Sequence, residues 1–386
     1  MENDESAYDF HIGDMIKHIA ICAIVYPVFC GCTTEKGAKS DLIEIDVRAS
    51  YPEKEIQLEE IADIEYLQLE TNVDYLFKEE PDIIASDIII IRNVGDVFIF
   101  SREGKPLSKF NHKGNSREEY SYISQIIYDE KSAEIFVKTI NKILVYTLSG
   151  DFKRLLPLIE GSSVNEFVNF DAQTLLLYDG DTDVYPSPLC LISKEDGRVV
   201  ETIDIRRGKK LKLIGILEEK GFVTSYYISP GYLSGYKDGY LLADYSIDTV
   251  YFISPEKRLS PILVRKPKVQ SMDPIIILNG FIAAGGYDFV CWVNLKPYSD
   301  GYLMRDRKTC LIYRQKITFN DYKGKQVYLS SETIKNTQDS KLGLINLDLE
   351  ELKEANSENR ITGKLKQMVE NSEEDGNNIF MLLHFK

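Results

Sequence analysis

The stretch Tyr178-Asp179-Gly180-Asp181-Thr182-Asp183-Val184 sets three carboxylates in alternation. Oxygen donors at this spacing can wrap a hard cation, so Asp179, Asp181 and Asp183 are candidate ligands for Ca²⁺. An EF-hand loop is excluded, because Val184 stands where its turn glycine belongs and Cys190 where a bidentate Glu would close the shell. A solvated turn is the competing reading. Histidine offers less. Beyond the first segment only His112 and His384 remain, so a His-rich metal site is excluded and a Ser-His-Asp triad would have to use one of these two. His112 lies in the loop "NHKGNSREEY" and is expected to brace it. His384 alternates with Phe380 and Leu382 along the last apolar run and is expected to be packed. Paired carboxylates for glycoside hydrolysis could come from any of 61 acidic residues, and nothing singles out one pair.

The tract "TSYYISPGYLSGYKDGYLLADYS" gathers Tyr226, Tyr227, Tyr232, Tyr236, Tyr240 and Tyr245 around Pro230, Gly231 and Gly235. Tyrosine joins a flat apolar face to a hydroxyl, which suits stacking on sugar rings or gripping peptides. Filling cores between sheets is its other use. Tyr232 and Tyr236 are the least strand-like of the set and are the candidate exposed ligand-binding pair. A single Trp292 argues against a dedicated sugar platform.

The elements that must position these residues are short β-branched and aromatic runs separated by Asp, Gly, Asn and Lys turns. "DIIIIRNVGDVFIFSREGKPLSKF" holds two strands around Asn93–Asp96 and a third after "REGK". The plan recurs from "SAEIFVK", from "AQTLLLYDG" and from "DGYLLADYS", with a weaker copy from "NGFIAAGG". Gly104-Lys105, Gly150-Asp151, Gly197-Arg198 and Pro255-Glu256 occupy the last turn of the unit. Such a period predicts propeller blades, whose apolar faces only neighbouring blades can cover. A β-sandwich is the runner-up, and no amphipathic helices alternate with the strands as a parallel α/β fold requires. "IEYLQL" near the start and "NNIFMLLHFK" at the end are expected to complete one blade together. Residues 331–378, with "LDLEELKEAN" and "ITGKLKQMVENSEED", predict a polar helical insertion.

The amino-terminal run "MIKHIAICAIVYPVFCGC" gives an address. Its apolar core is too short for a bilayer but suits the h-region of a secretory signal. It ends in Phe29-Cys30-Gly31-Cys32, which is similar to a bacterial lipobox, so residues 1–32 are expected to be a signal peptide with Cys32 lipidated. The acidic leader Met1 to Asp14 fits no positive n-region, which places the start of the signal at Met15. Residues 33–55 are then a linker. Cys190, Cys291 and Cys310 remain in the body. They allow one disulfide at most, between Cys291 and Cys310, against three buried thiols as the main expectation. Without a CxxC spacing, zinc-ribbon and thioredoxin chemistry are excluded. The net charge of −15 repels phosphate backbones. The short basic runs at Arg206–Lys210 and Arg265–Lys268 are read as solvated loops, so no nucleic-acid partner is expected.

"IADIEYLQLET", the "SREGK" turn and Gly114…Glu119-Tyr120 resemble the six-bladed β-propeller lipoproteins of Bacteroidetes, distant relatives of NHL-repeat propellers. The chain departs from that pattern at Asn115-Ser116-Arg117, where the family has Gln-Gly-Pro, and keeps its closing phrase only as Glu374-Asp375-Gly376-Asn377-Asn378. The resemblance covers roughly residues 56–386. It implies an all-β six-bladed propeller over that span and a lipid anchor in the bacterial envelope, at the outer membrane, on its periplasmic or its surface face. The expected function is a non-catalytic binding module for a glycan, a peptide or an envelope partner protein, with no cofactor beyond the Ca²⁺ candidate. The alternative is a propeller hydrolase or lyase that uses channel carboxylates, with or without Ca²⁺.

Overall fold

In the computed structural model, the described residues are 42–386 apart from 73, 206–208, 212–213, 220–221, 228–231, 296–297 and 332–340. For 214–219, 222–227, 279 and 280 only the backbone is described. The expected signal peptide, its Cys32 and the first part of the expected linker lie outside the described residues. Among the described residues no helix is long and apolar enough to cross a membrane.

Three strands come first: β1 (Ile43–Asp46), β2 (Glu53–Gln57) and β3 (Ala62–Gln68), with one helical turn, α1 (Leu58–Ile61), before the third. Blade I follows as β4 (Ile83–Ile84), β5 (Ile88–Asn93), β6 (Asp96–Ser101) and β7 (Pro106–Asn111). Blade II is β8 (Gln125–Asp129), β9 (Glu134–Lys138), β10 (Lys142–Thr147) and β11 (Phe152–Pro157). Blade III is β12 (Glu166–Asn169), β13 (Thr174–Tyr178), β14 (Leu189–Ser193) and β15 (Val199–Ile203). A hairpin, β16 (Ile214–Glu219) with β17 (Phe222–Tyr227), separates it from blade IV: β18 (Leu233–Tyr236), β19 (Gly239–Leu242), β20 (Thr249–Ile253) and β21 (Leu259–Lys266). Blade V is β22 (Ile276–Ala284), β23 (Tyr287–Leu295), β24 (Tyr298–Asp306) and β25 (Ile312–Thr318), with β26 (Gln326–Val327) on its edge. The chain ends in β27 (Leu342–Leu347), helices α2 (Leu349–Ser357) and α3 (Gly363–Asn371), and β28 (Ile379–Phe385).

β28 pairs antiparallel with both β27 and β3, so the two ends of the chain share one three-stranded sheet, as expected. Apolar clusters join successive sheets: Ile99 with Ile135 between blades I and II, Phe136 with Leu175 between II and III, and Leu189 with Leu242 between III and IV. Val250 with Phe281 joins IV to V, and Phe289 with Met381 joins V to the shared sheet. Phe380 with Phe98 then returns the ring to blade I. This is a β-propeller. Its middle strands read as unbroken apolar runs because both faces of each blade are covered by neighbours. Among the described residues five sheets have the four or more strands of a full blade, one fewer than the six expected. The closing sheet has three among the described residues.

Two boundaries are corrected. The expected linker over 33–55 contains β1, which pairs in parallel with β21, and most of β2, which pairs in parallel with β25. Ile43, Ile45 and Val47 are buried while Glu44 and Arg48 are exposed, the period-two pattern of an edge strand. The first strands therefore strap blade IV, then blade V, then the closing sheet. The expected helical insertion over 331–378 also contains β27, a sheet strand. Its helices are present and bury Leu349, Leu352, Leu365 and Val369 at the junction of blade V with the closing sheet. Asp348 caps α2 by accepting the Glu351 N–H at 3.0 Å.

The last turn of each blade is a repeated device. Ser101, Thr147, Ser193 and Ser254 each accept a backbone N–H from a residue of positive φ: Gly104 (87°), Gly150 (89°), Gly197 (77°) and Lys257 (65°). In blade V, Asp306 takes the opening position and Cys310 (61°) the left-handed one. Glycine is required at Gly150, because a Cβ there would lie 2.7 Å from Phe110 of blade I.

Candidate functional site

The inner strands are bridged in succession by side chains at one end of the blades. The Gln125 amide donates to Phe167 O at 2.8 Å and accepts the Phe167 N–H at 3.0 Å, which ties β8 to β12. Glu166, at the start of β12, accepts the N–H groups of Tyr232 at 2.6 Å and Leu233 at 2.8 Å, which ties blade III to blade IV. Burial pushes the Glu166 carboxyl up to about 7, against those two donors, which pull it down.

At this junction the loop after β13 meets the loop after β19. The Tyr178 hydroxyl donates to Asp244, and the Lys210 ammonium donates to the same Asp244 oxygen at 2.8 Å. Lys210 also lies 3.5 Å from Asp181 and sits over the rings of Tyr178 (5.7 Å) and Tyr232 (5.8 Å). The Tyr232 hydroxyl donates to that of Tyr245 at 3.0 Å. Burial raises the Tyr178 and Tyr232 phenols well above their usual range, so both stay neutral donors. Asp181 and Lys210 are the solvent side of the group, and Tyr178 and Asp244 its buried floor.

The sequence-derived candidates divide here. Tyr232 is buried, not exposed, and Tyr236 is half-buried and edge-on to Phe252 and Phe281 in the core between blades IV and V. They flank opposite ends of the four-residue β18, so they do not form one platform. Tyr240 and Tyr245 pack between blades III and IV, in line with the core-filling reading. The side chains of Tyr226 and Tyr227, together with Pro230 and Gly231, lie outside the described residues. Asp179 is buried and organises its own turn, accepting from Thr182 N at 3.0 Å, Thr182 Oγ1 at 2.6 Å and Ser163 N at 3.2 Å. Asp181 instead faces Asn165 and Lys210, and Asp183 is exposed. Among the described residues no three His, Cys, Asp or Glu side chains gather as a metal site.

His112 braces its loop as expected: its Nε2 lies 2.7 Å from Gly150 O and its ring stacks on Tyr146 at 5.1 Å. His384 differs from expectation. It is exposed and faces Glu65 at 2.8 Å, because β28 presents its last turn of alternation beyond the edge of the core. Among the described residues none of Cys190, Cys291 and Cys310 forms a disulfide, and Cys310 is exposed rather than buried because it occupies the left-handed turn of blade V. Arg265, placed by the sequence in a solvated basic loop, is buried in β21, with its Nη2 2.8 Å from Met272 Sδ. Lys210 belongs to a basic run read from the sequence as a solvated loop, but it pairs with the buried Asp244 instead, and Asp244 was not singled out. Their only local sign is a lysine and an aspartate near tyrosines, a pattern that recurs all along the chain.

The family model for a domain of unknown function, DUF4934, matches residues 42–384. The chain belongs to the DUF4934 family. Its span takes in β1 and β2, in agreement with their place in the ring. Among solved structures, a Bacteroides fragilis protein that carries an exported-protein name is 15% identical at a TM-score of 0.64, with 89% of this chain and 99% of that one covered. A DUF4221 family member from Bacteroides vulgatus is 10% identical at a TM-score of 0.47, covering 84% and 97%. The first likeness supports the propeller fold. No curated protein matches the sequence.

Proposed function

We propose that this DUF4934 protein is a lipid-anchored, non-catalytic binding module of the bacterial envelope, which takes a glycan, peptide or partner protein at the end of the ring where Lys210 and Asp181 face solvent. The observation that carries the reading is the Lys210 group: an ammonium held between two carboxylates and over two tyrosine rings, with its floor fully hydrogen-bonded. Such a preset array of charged donors and acceptors beside aromatic faces suits hydroxyl-rich ligands, with a glycan as the first class to test. Support for the envelope comes from the lipobox-like Phe29–Cys32 and from the exported-protein name of a fold relative. The same reading counts the closing sheet as a reduced sixth blade, since it packs against blades V and I as the others pack against their neighbours.

A glycan and peptide array on protein truncated before Ser40 tests the binding role. Ligands retained by the wild type and weakened about tenfold by K210A or D181A support it. An empty array together with metal-dependent turnover of an ester or glycoside overturns it. Mass spectrometry of full-length protein and of C32S, expressed in a Gram-negative host, tests the anchor.

A further inference from the structure

A second surface lies at the junction of blades I and II and shares no residue with the Lys210 group. Two depressions of about 350 and 300 Å³ adjoin there and share Ser121 in their walls. The ridges around them are apolar and unusually open: Val94 is 83% exposed, Ile140 64% and Tyr122 48%. Each is a loop position, so no fold requirement explains an apolar residue there; burial of these three against a partner would.

Charge gives the surface its sign. Each depression is lined by two cations and one carboxylate, on a chain whose net charge is −15. Several of these charges are already engaged: Arg92 pairs with Asp82 at 2.8 Å, Glu119 accepts the Ser116 N–H at 2.9 Å, and Lys142 donates to the carbonyls of Ser116 and Arg117. Lys113 and Arg117 are exposed and make no ion pair among the described residues. The wall of the larger depression also holds Thr139, which is 2% exposed and whose hydroxyl has no hydrogen-bond partner. A buried hydroxyl left unpaired is costly, and a ligand group entering the depression can satisfy it.

We propose that this face docks an acidic, apolar-containing peptide segment of a partner protein. Its carboxylates pair with Lys113 and Arg117, its apolar side chains cover Val94, Tyr122 and Ile140, and one polar group reaches the Thr139 hydroxyl. The proposal uses no residue of the Lys210 group.

The test is fluorescence anisotropy on protein truncated before Ser40, with a labelled probe peptide in which Glu alternates with Leu. The expected result is binding that weakens as salt is raised, falls about tenfold or more in K113E/R117E, and falls in I140S and T139V. K210A, which removes the other site, leaves probe binding unchanged. The side chains of Lys113 and Arg117 make no hydrogen bond or ion pair among the described residues, and their backbone contacts survive substitution, so the double variant should melt with the wild type. No binding, equal binding of a Lys-Leu probe, or affinity unchanged in K113E/R117E overturns the proposal. So does sedimentation showing that the same face pairs two copies of this chain, or flotation showing that it binds anionic vesicles instead.

Discussion

The Glu166 carboxylate of blade III accepts the Tyr232 N–H of blade IV at 2.6 Å, so a titratable group fastens two inner strands of the ring. Its folded-state value is raised to about 7 from the ordinary carboxylate range. The sign follows directly. Above about 4.5 the unfolded chain releases this proton while the folded protein keeps it, so stability from this group is present at acid pH and lost as pH rises through about 7. Wild-type stability should therefore decline over that window relative to E166Q, whose amide oxygen still accepts both N–H groups. Chemical denaturation of the two proteins at several pH values reads the difference; parallel profiles would show that Glu166 carries no such slope.

The glycine turns separate strain from crowding. Gly150 and Gly286 both have positive φ, but a Cβ on Gly150 meets Phe110 whereas one on Gly286 meets nothing within 4 Å. G286A should cost about 1 kcal/mol, from backbone strain alone. G150A should cost about 2–4 kcal/mol, because the joint between blades I and II must also open. Equal losses in urea melts would contradict the packing argument.

The strap offers a similar contrast. Ile45 is fully buried under β21 while its neighbour Glu44 is exposed beside Lys266. I45A should destabilise by about 3 kcal/mol and E44A by well under 1 kcal/mol. If both are silent, β1 does not hold the ring.

Thiol chemistry checks the blade V turn. In folded protein truncated before Ser40, Cys310 should react readily with a thiol reagent, while Cys190 and Cys291 should react only after denaturation. Peptide mapping that finds Cys190 or Cys291 labelled in the native state would place the turn or the core elsewhere.

The strands and their turns were legible because a blade is a local object. Its hairpins join residues close in sequence, its middle strands must be apolar on both faces, and "SREGK" or "SGDF" marks the left-handed turn in the letters themselves. Pairing of β3 with β28 was legible for a related reason: neither run lies beside a full set of hairpin strands in the sequence, so each needs partners from elsewhere to complete a sheet. The Ile43-Glu44-Ile45 alternation was also present in the letters, yet a strand that joins a sheet far along the chain, in parallel, has no adjacent turn to announce it.

What sequence alone determined is the architecture of repeated hairpins and a cysteine count that leaves room for one disulfide at most in the body. What tertiary structure decided is which side chains meet. Tyr232 and Tyr236 look equivalent in sequence, but strand β18 places them at opposite ends and in different cores. Asp179 and Asp181 are two residues apart, yet one is spent on its own turn and the other faces Lys210, more than twenty positions away. The physical reason is that strand pairing and the closure of a ring set contacts at long range, where the spacing of residues along the chain carries no information about distance.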